Sequence, residues 1–219
     1  MNTSAFRSES IASAWRNAWT SRRFRVVAIV TAVLTPCVLR GLTGFLNVVE
    51  ARPGVVLPDP LLGLFEAQDV TWLTFGINYV GVCGGIAILL RHPRHLVLAI
   101  QTYVGMAVFR MAAMSLMPLD PPAGAIPLQD PVVQVLATGQ LLTRDLFFSG
   151  HTATLFLIGL SMPKKGLQIA YFAATTVIGF CVLVQHSHYT IDVLAAPFFT
   201  YAAFRIVVLV QRRVLPRLS

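Results

Sequence analysis

The chain has 219 residues, of which 56% are hydrophobic and only 12% charged, with a mean hydropathy of +0.71 and a net charge of +8. Such apolar content excludes an ordinary soluble domain and places the chain in a membrane. The positive balance would suit nucleic acid, but the basic residues form short clusters beside apolar runs. There they orient helices and meet anionic lipid headgroups, so no nucleic-acid partner is expected.

Taken from the N-terminus, residues 1–23 put Trp15 and Trp19 four apart among arginines, a spacing that suits an amphipathic helix in the cytoplasmic headgroup layer. A cleaved leader competes with that reading, because basic residues precede VVAIVTAVLTPCVL, but no clear A-x-A site follows. Apolar runs long enough to cross about 30 Å of hydrocarbon lie at 24–49, 70–90, 96–117, 146–162, 167–187 and 190–210. Stretches such as TYVGMAVF and LFLIGL are apolar on every face, which makes the spans helices and not barrel strands. The expectation is an all-α polytopic protein with an N-terminal interfacial helix, six transmembrane helices in one domain over 24–211, and a basic cytoplasmic tail at 212–219. Cys37, Cys83 and Cys181 fall within spans and read as small core residues, with no disulfide framework or metal spacing.

Charge sets the expected orientation. Arg7, Arg16, Arg22, Arg23, Arg25, Arg91, Arg94, Lys164, Lys165, Arg205, Arg212, Arg213 and Arg217 all fall on one side of these spans. Among the acids only Glu9 joins them, while Glu50, Asp59, Glu66, Asp69, Asp120, Asp130, Asp145 and Asp192 lie at the opposite ends. The positive-inside rule then makes both termini cytoplasmic.

Ionisable groups at bundle-facing helix ends are costly, so each is a functional candidate. Asp145 and His151 flank the outer end of span four, and QHSHYTIDV sets His188 and Asp192 four apart, on one helix face. Asp192 can accept a hydrogen bond from one ring nitrogen of His188 and leave the other directed at a substrate. Ser149 and Gly150 expose backbone N–H groups at a helix start, where an anionic oxygen can bind. Two histidines with a carboxylate form a relay for phosphoryl transfer, one attacking phosphorus and the other moving protons on the departing and arriving oxygens. Arg110, within span three, needs either a phosphate or an acid of the bundle as partner, and Arg144 can bind phosphate or cap the site in water. His186, two residues before His188, points elsewhere on a helix. His92 and His95 fall on the cytoplasmic side, where solvation is the simpler reading, and no compact ligand set marks a metal site.

DLFFSGHT followed by HSHYTIDV resembles the paired motifs of the sphingomyelin synthase family, a branch of the type 2 phosphatidic acid phosphatase (PAP2) superfamily. VLPDPLLGLF at 56–65 resembles that family's first outer-loop motif, and FRMAAMSLMPL at 109–119 its arginine-bearing third span. The resemblance covers most of 55–205 and implies a six-helix enzyme with a PAP2-like bundle core and an exoplasmic active site. It further implies His188 as a nucleophile forming a phosphohistidine, Asp192 as its orienting group, His151 as acid and then base, and Asp145 as a supporting residue. Arg144 and Tyr189 are expected in the phosphate and headgroup region, and Arg110 and Asp59 in that region or its scaffold. The implied reaction moves a phosphorylated headgroup from a phospholipid donor to ceramide or another lipid acceptor, releasing diacylglycerol without a cofactor.

Two departures bear on specificity. Thr143, Arg144 and Asp145 stand where the family usually has Cys-Gly-Asp, and Val182 stands where the lipid phosphatase branch usually has an arginine. Hydrolysis with water as acceptor is the second reading. A lipid transporter whose polar cluster merely wets a groove is the third. The excess of Arg over Lys points to a bacterial inner membrane.

Overall fold

The computed structural model describes residues 10–128 and 141–214. Arg7, Glu9, Asp130, Arg217 and the ends of the expected 1–23 and 212–219 segments lie outside the described residues. Among the described residues the elements are α1 (Ile11–Thr20), α2 (Arg22–Ala51), α3 (Thr71–Leu89), α4 (Pro93–Leu116), α5 (Gly150–Ser161), α6 (Lys165–Val184) and α7 (Thr190–Val214), with one 3-10 turn at Leu62–Leu64. Among the described residues the sole extended pairing is a parallel bridge between Val55 and Leu119. The chain is an all-helical polytopic membrane protein.

Among the described residues five helices, α2, α3, α4, α6 and α7, are long and apolar enough to cross a membrane. The span expected over 146–162 is helical only over the 12 residues of α5, about 18 Å, because Ser149 caps its start and Pro163 follows its end. α5 packs against α3, α4, α6 and α7 at the centre of the bundle. Its apolar faces meet protein.

The α3 face toward α5 carries small and polar residues. Thr74, Asn78, Gly81 and Gly85 recur at helical spacing, while Trp72, Leu73 and Val80 on the other side are exposed. A Cβ on Gly81 would come 2.7 Å from Leu155, and one on Gly85 2.6 Å from Ile158, so the missing side chains let α5 lie against the α3 backbone. Cys181 is buried, whereas Cys37 and Cys83 are exposed on α2 and α3, contrary to the core position expected of them. Residues turned toward lipid need to be apolar just as core residues do, and cysteine satisfies both demands.

Polar contacts close the two ends of the bundle differently. At one end Trp15 Nε1 donates to Leu90 O at 2.9 Å, Arg23 Nη2 to Gln211 O at 2.6 Å, and a His95 ring nitrogen lies 2.9 Å from Ser161 O. His95 thus joins α4 to the end of α5 and is not simply solvated. Trp15 and Trp19 stack edge-on against Phe24, which brings α1 back onto α2. The loops at 52–70, 117–128 and 185–189, and the start of α5, gather at the other end.

Candidate active site

α7 begins where His188 and Asp192 meet. Asp192 Oδ2 accepts the Tyr189 N–H at 2.9 Å, which satisfies an amide at the helix start, and the same oxygen lies 3.4 Å from His188 Nδ1. Asp192 is fully buried and His188 is 6% exposed. With Nδ1 turned to the carboxylate, Nε2 is the nitrogen left for the cavity that His188 lines.

The second histidine is joined to this pair through the backbone, because Ser149 N–H donates to Asp192 O at 3.1 Å. Ser149 Oγ accepts from Thr152 N–H at 3.5 Å and from Thr152 Oγ1 at 3.1 Å, capping α5. Gly150 and His151 are therefore the first two residues of α5, where backbone N–H groups and the helix dipole favour an anion, and both line the same cavity.

Arg110 reaches this end from α4. Its Nε donates to Phe148 O at 3.0 Å and its Nη2 pairs with Asp145 Oδ1 at 2.5 Å, so the bundle supplies the acid that the sequence left open. The guanidinium also lies against Gly150, where a Cβ would come 2.9 Å from Nη1; only glycine permits that approach. Arg110, Asp145, Gly150, His151 and His188 share one cavity of about 260 Å³. Its walls include Pro121 and Ile126 of the proline-rich loop, which is fastened to the α6–α7 turn by Ile126 N–H donating to Gln185 O at 3.1 Å.

Asp59, Tyr189 and Arg144 do not line the cavity and hold its surroundings instead, which for Asp59 is the scaffold place, one of the two expected of it. Asp59 Oδ2 accepts the Thr190 N–H at 2.7 Å and its Oδ1 accepts from Thr190 Oγ1 at 3.0 Å, so it caps α7 from a distant loop. Oδ1 also accepts from Leu61 N–H at 3.0 Å and Leu62 N–H at 3.3 Å. Partial burial works to raise the Asp59 carboxyl, but the bonds from Thr190, Leu62 and Leu61 outweigh it and hold the group below the usual carboxylate range. Tyr189 is buried; its hydroxyl accepts from Leu57 N–H at 3.1 Å and donates to Asp120 O at 2.8 Å, tying two loops together. Arg144 donates from Nε to Asp120 Oδ1 at 2.6 Å and from Nη1 to Glu50 O at 2.6 Å. The Arg144 bond holds the Asp120 carboxyl below its ordinary value.

Glu50, at the end of α2, was not singled out from sequence, yet its carboxylate accepts from Thr143 N–H at 2.8 Å, Thr143 Oγ1 at 2.6 Å and Arg144 N–H at 2.9 Å. It thereby holds the segment that delivers Asp145 to Arg110. His186 turns away from His188, with Nδ1 3.5 Å from Ala123 O and its ring against Phe65. Val182 is fully buried in α6, so no cation reaches the site from that position.

A bundle of membrane helices around a cavity lined by two histidines and an arginine has the groups that phosphoryl transfer on a lipid uses. Residues 144–209, which hold both histidine motifs, match the family model of the PAP2 superfamily C-terminal region. That match supports the PAP2-like superfamily and activity of the lipid phosphatase or phosphotransferase type. No curated protein matches the chain.

Proposed function

We propose that the chain is a lipid phosphotransferase that moves a phosphorylated headgroup from a glycerophospholipid to ceramide or a related lipid alcohol. The observation that carries this reading is the shared cavity, in which His188, backed by Asp192, faces His151 and Arg110 inside a membrane bundle. His188 Nε2 attacks phosphorus and the P–O bond to diacylglycerol breaks, the departing oxygen taking a proton from His151. The acceptor alcohol then gives its proton to His151 as its oxygen forms a new P–O bond, and the P–N bond breaks to restore His188. Arg110 and the first N–H groups of α5 balance the charge on the phosphoryl oxygens. The arrangement of basic residues at the end bearing α1 favours placing the site on the exoplasmic side with both termini cytoplasmic, and the excess of Arg over Lys favours a bacterial inner membrane as the setting.

The covalent step has a direct test. With a labelled alkyl p-nitrophenyl phosphate, whose leaving group needs no proton, the His151→Ala variant should accumulate an acid-labile, base-stable adduct on His188. No adduct under those conditions would show that transfer runs directly between the two lipids.

A further inference from the structure

The inward part of the cavity contains a polar group that the transfer steps leave without a role. Asn78 sits seven residues into α3, about 10 Å from its loop end, and is the one side-chain amide in the run TWLTFGINYVGVCGG. It is 9% exposed, lines the cavity, and its Oδ1 has no hydrogen-bond partner among the described residues. Phe75, one turn earlier on the same face of α3, has its ring 6.3 Å from the His151 imidazole. Asn78 therefore stands about one turn deeper in the bundle than the contact with His151. Thr154, a polar residue of α5 that lines the same cavity, already donates its hydroxyl to Gly150 O at 2.8 Å. A buried amide oxygen in a membrane helix is costly without a donor; Oδ1 is itself closed off in this rotamer, and a turn about the soft χ2 torsion brings it to the cavity that Asn78 lines, where a donor can arrive.

We propose that Asn78 is a substrate-contact residue whose Oδ1 accepts a hydrogen bond from the bound lipid. The site then selects a lipid alcohol that carries a second donor, a hydroxyl or an amide N–H, beside its reacting group. This rests on the reading of the cavity as a lipid phosphotransfer site. Selectivity arises because a lipid with that donor blocked leaves the amide oxygen unpaired in the complex.

The test uses the full chain in lipid nanodiscs and three probes: ceramide, N-methyl ceramide and 3-O-methyl ceramide. Displacement of a fluorescent ceramide from the His188→Ala protein reads binding without turnover, and transfer is read separately in the chain that keeps His188. Blocking one of the two donors should weaken binding about tenfold or more. Asn78→Leu and Asn78→Ala should abolish that difference, whereas Asn78→Asp, which keeps an acceptor, should retain it. Equal displacement by all three probes, or discrimination that survives in Asn78→Leu or Asn78→Ala, would overturn the proposal. Discrimination in displacement without headgroup transfer would uphold Asn78 and reject the transferase reading; transfer without discrimination would reject Asn78 alone.

Discussion

Removing the Asp59 carboxylate should loosen the start of α7 before it alters any chemistry. Four hydrogen bonds end on it, two from Thr190 and one each from the N–H groups of Leu61 and Leu62. Truncating a helix cap to alanine costs about 1 kcal/mol, and a carboxylate at a helix N-terminus contributes about 0.3–1 kcal/mol more. With the turn at Leu61 and Leu62 also released, Asp59→Ala should cost about 2–3 kcal/mol, which for a chain of 219 residues lowers the unfolding temperature by about 4–12 °C. Asp59→Asn keeps a neutral acceptor and should fall between. Because the folded carboxyl is held below its ordinary value near 3.8, its contribution is complete above that pH and fades as pH falls further. The gap between the parent chain and Asp59→Ala should therefore narrow below about pH 3.8. Thermal unfolding in detergent can be followed by a thiol-reactive dye on Cys181, which is 4% exposed, in a background with the exposed Cys37 and Cys83 replaced by alanine. An Asp59→Ala protein that unfolds at the parent temperature but loses activity would refute the capping role and return Asp59 to the lipid.

Other substitutions separate positioning from folding. Gly150→Ala should displace the Arg110 guanidinium by about 0.5 Å, since its Cβ would meet Nη1 at 2.9 Å instead of the 3.4 Å of ordinary contact. A shift of that size should lower kcat/KM about tenfold while the unfolding temperature changes little. Glu50→Gln weakens the bonds to Thr143 and Arg144, so trypsin should cut after Arg144 several-fold faster than in the parent chain. Gly54→Ala sets a Cβ 2.3 Å from the Leu119 carbonyl carbon and 2.5 Å from the Asp120 nitrogen. Backbone cannot swing aside as a side chain can, so the loops should part at a cost of about 1–3 kcal/mol, visible in the same dye assay.

What was legible in the sequence depended on whether a partner was near in the chain. The four-residue spacing of His188 and Asp192 is enough to bring them to one face, and the capped turn before α7 completes the approach. Asp59 gave no such sign, because its partner Thr190 lies 131 residues away. Glu50 and Thr143 are separated by 93 residues, and Arg110 and Asp145 by 35. Apolar runs identified the membrane helices without showing which face is lipid-facing or packed, since both are apolar. That is why α5 read as a span and Cys37 and Cys83 as core residues. Asn78 did carry a signal, as a polar amide inside a predicted span, but its opening onto the cavity depends on how α3, α4 and α5 pack.

In the proposed reaction His188 carries a lipid headgroup between two lipids. The most direct measurement incubates the purified chain in vesicles with a fluorescent ceramide and a panel of phospholipids, and identifies products by chromatography and mass spectrometry beside the His188→Ala variant. The expected products are a ceramide bearing a phosphorylated headgroup and equimolar diacylglycerol, both lost in the variant. Diacylglycerol or free phosphate without modified ceramide would contradict transfer to ceramide, and product formation that survives His188→Ala would contradict the nucleophile.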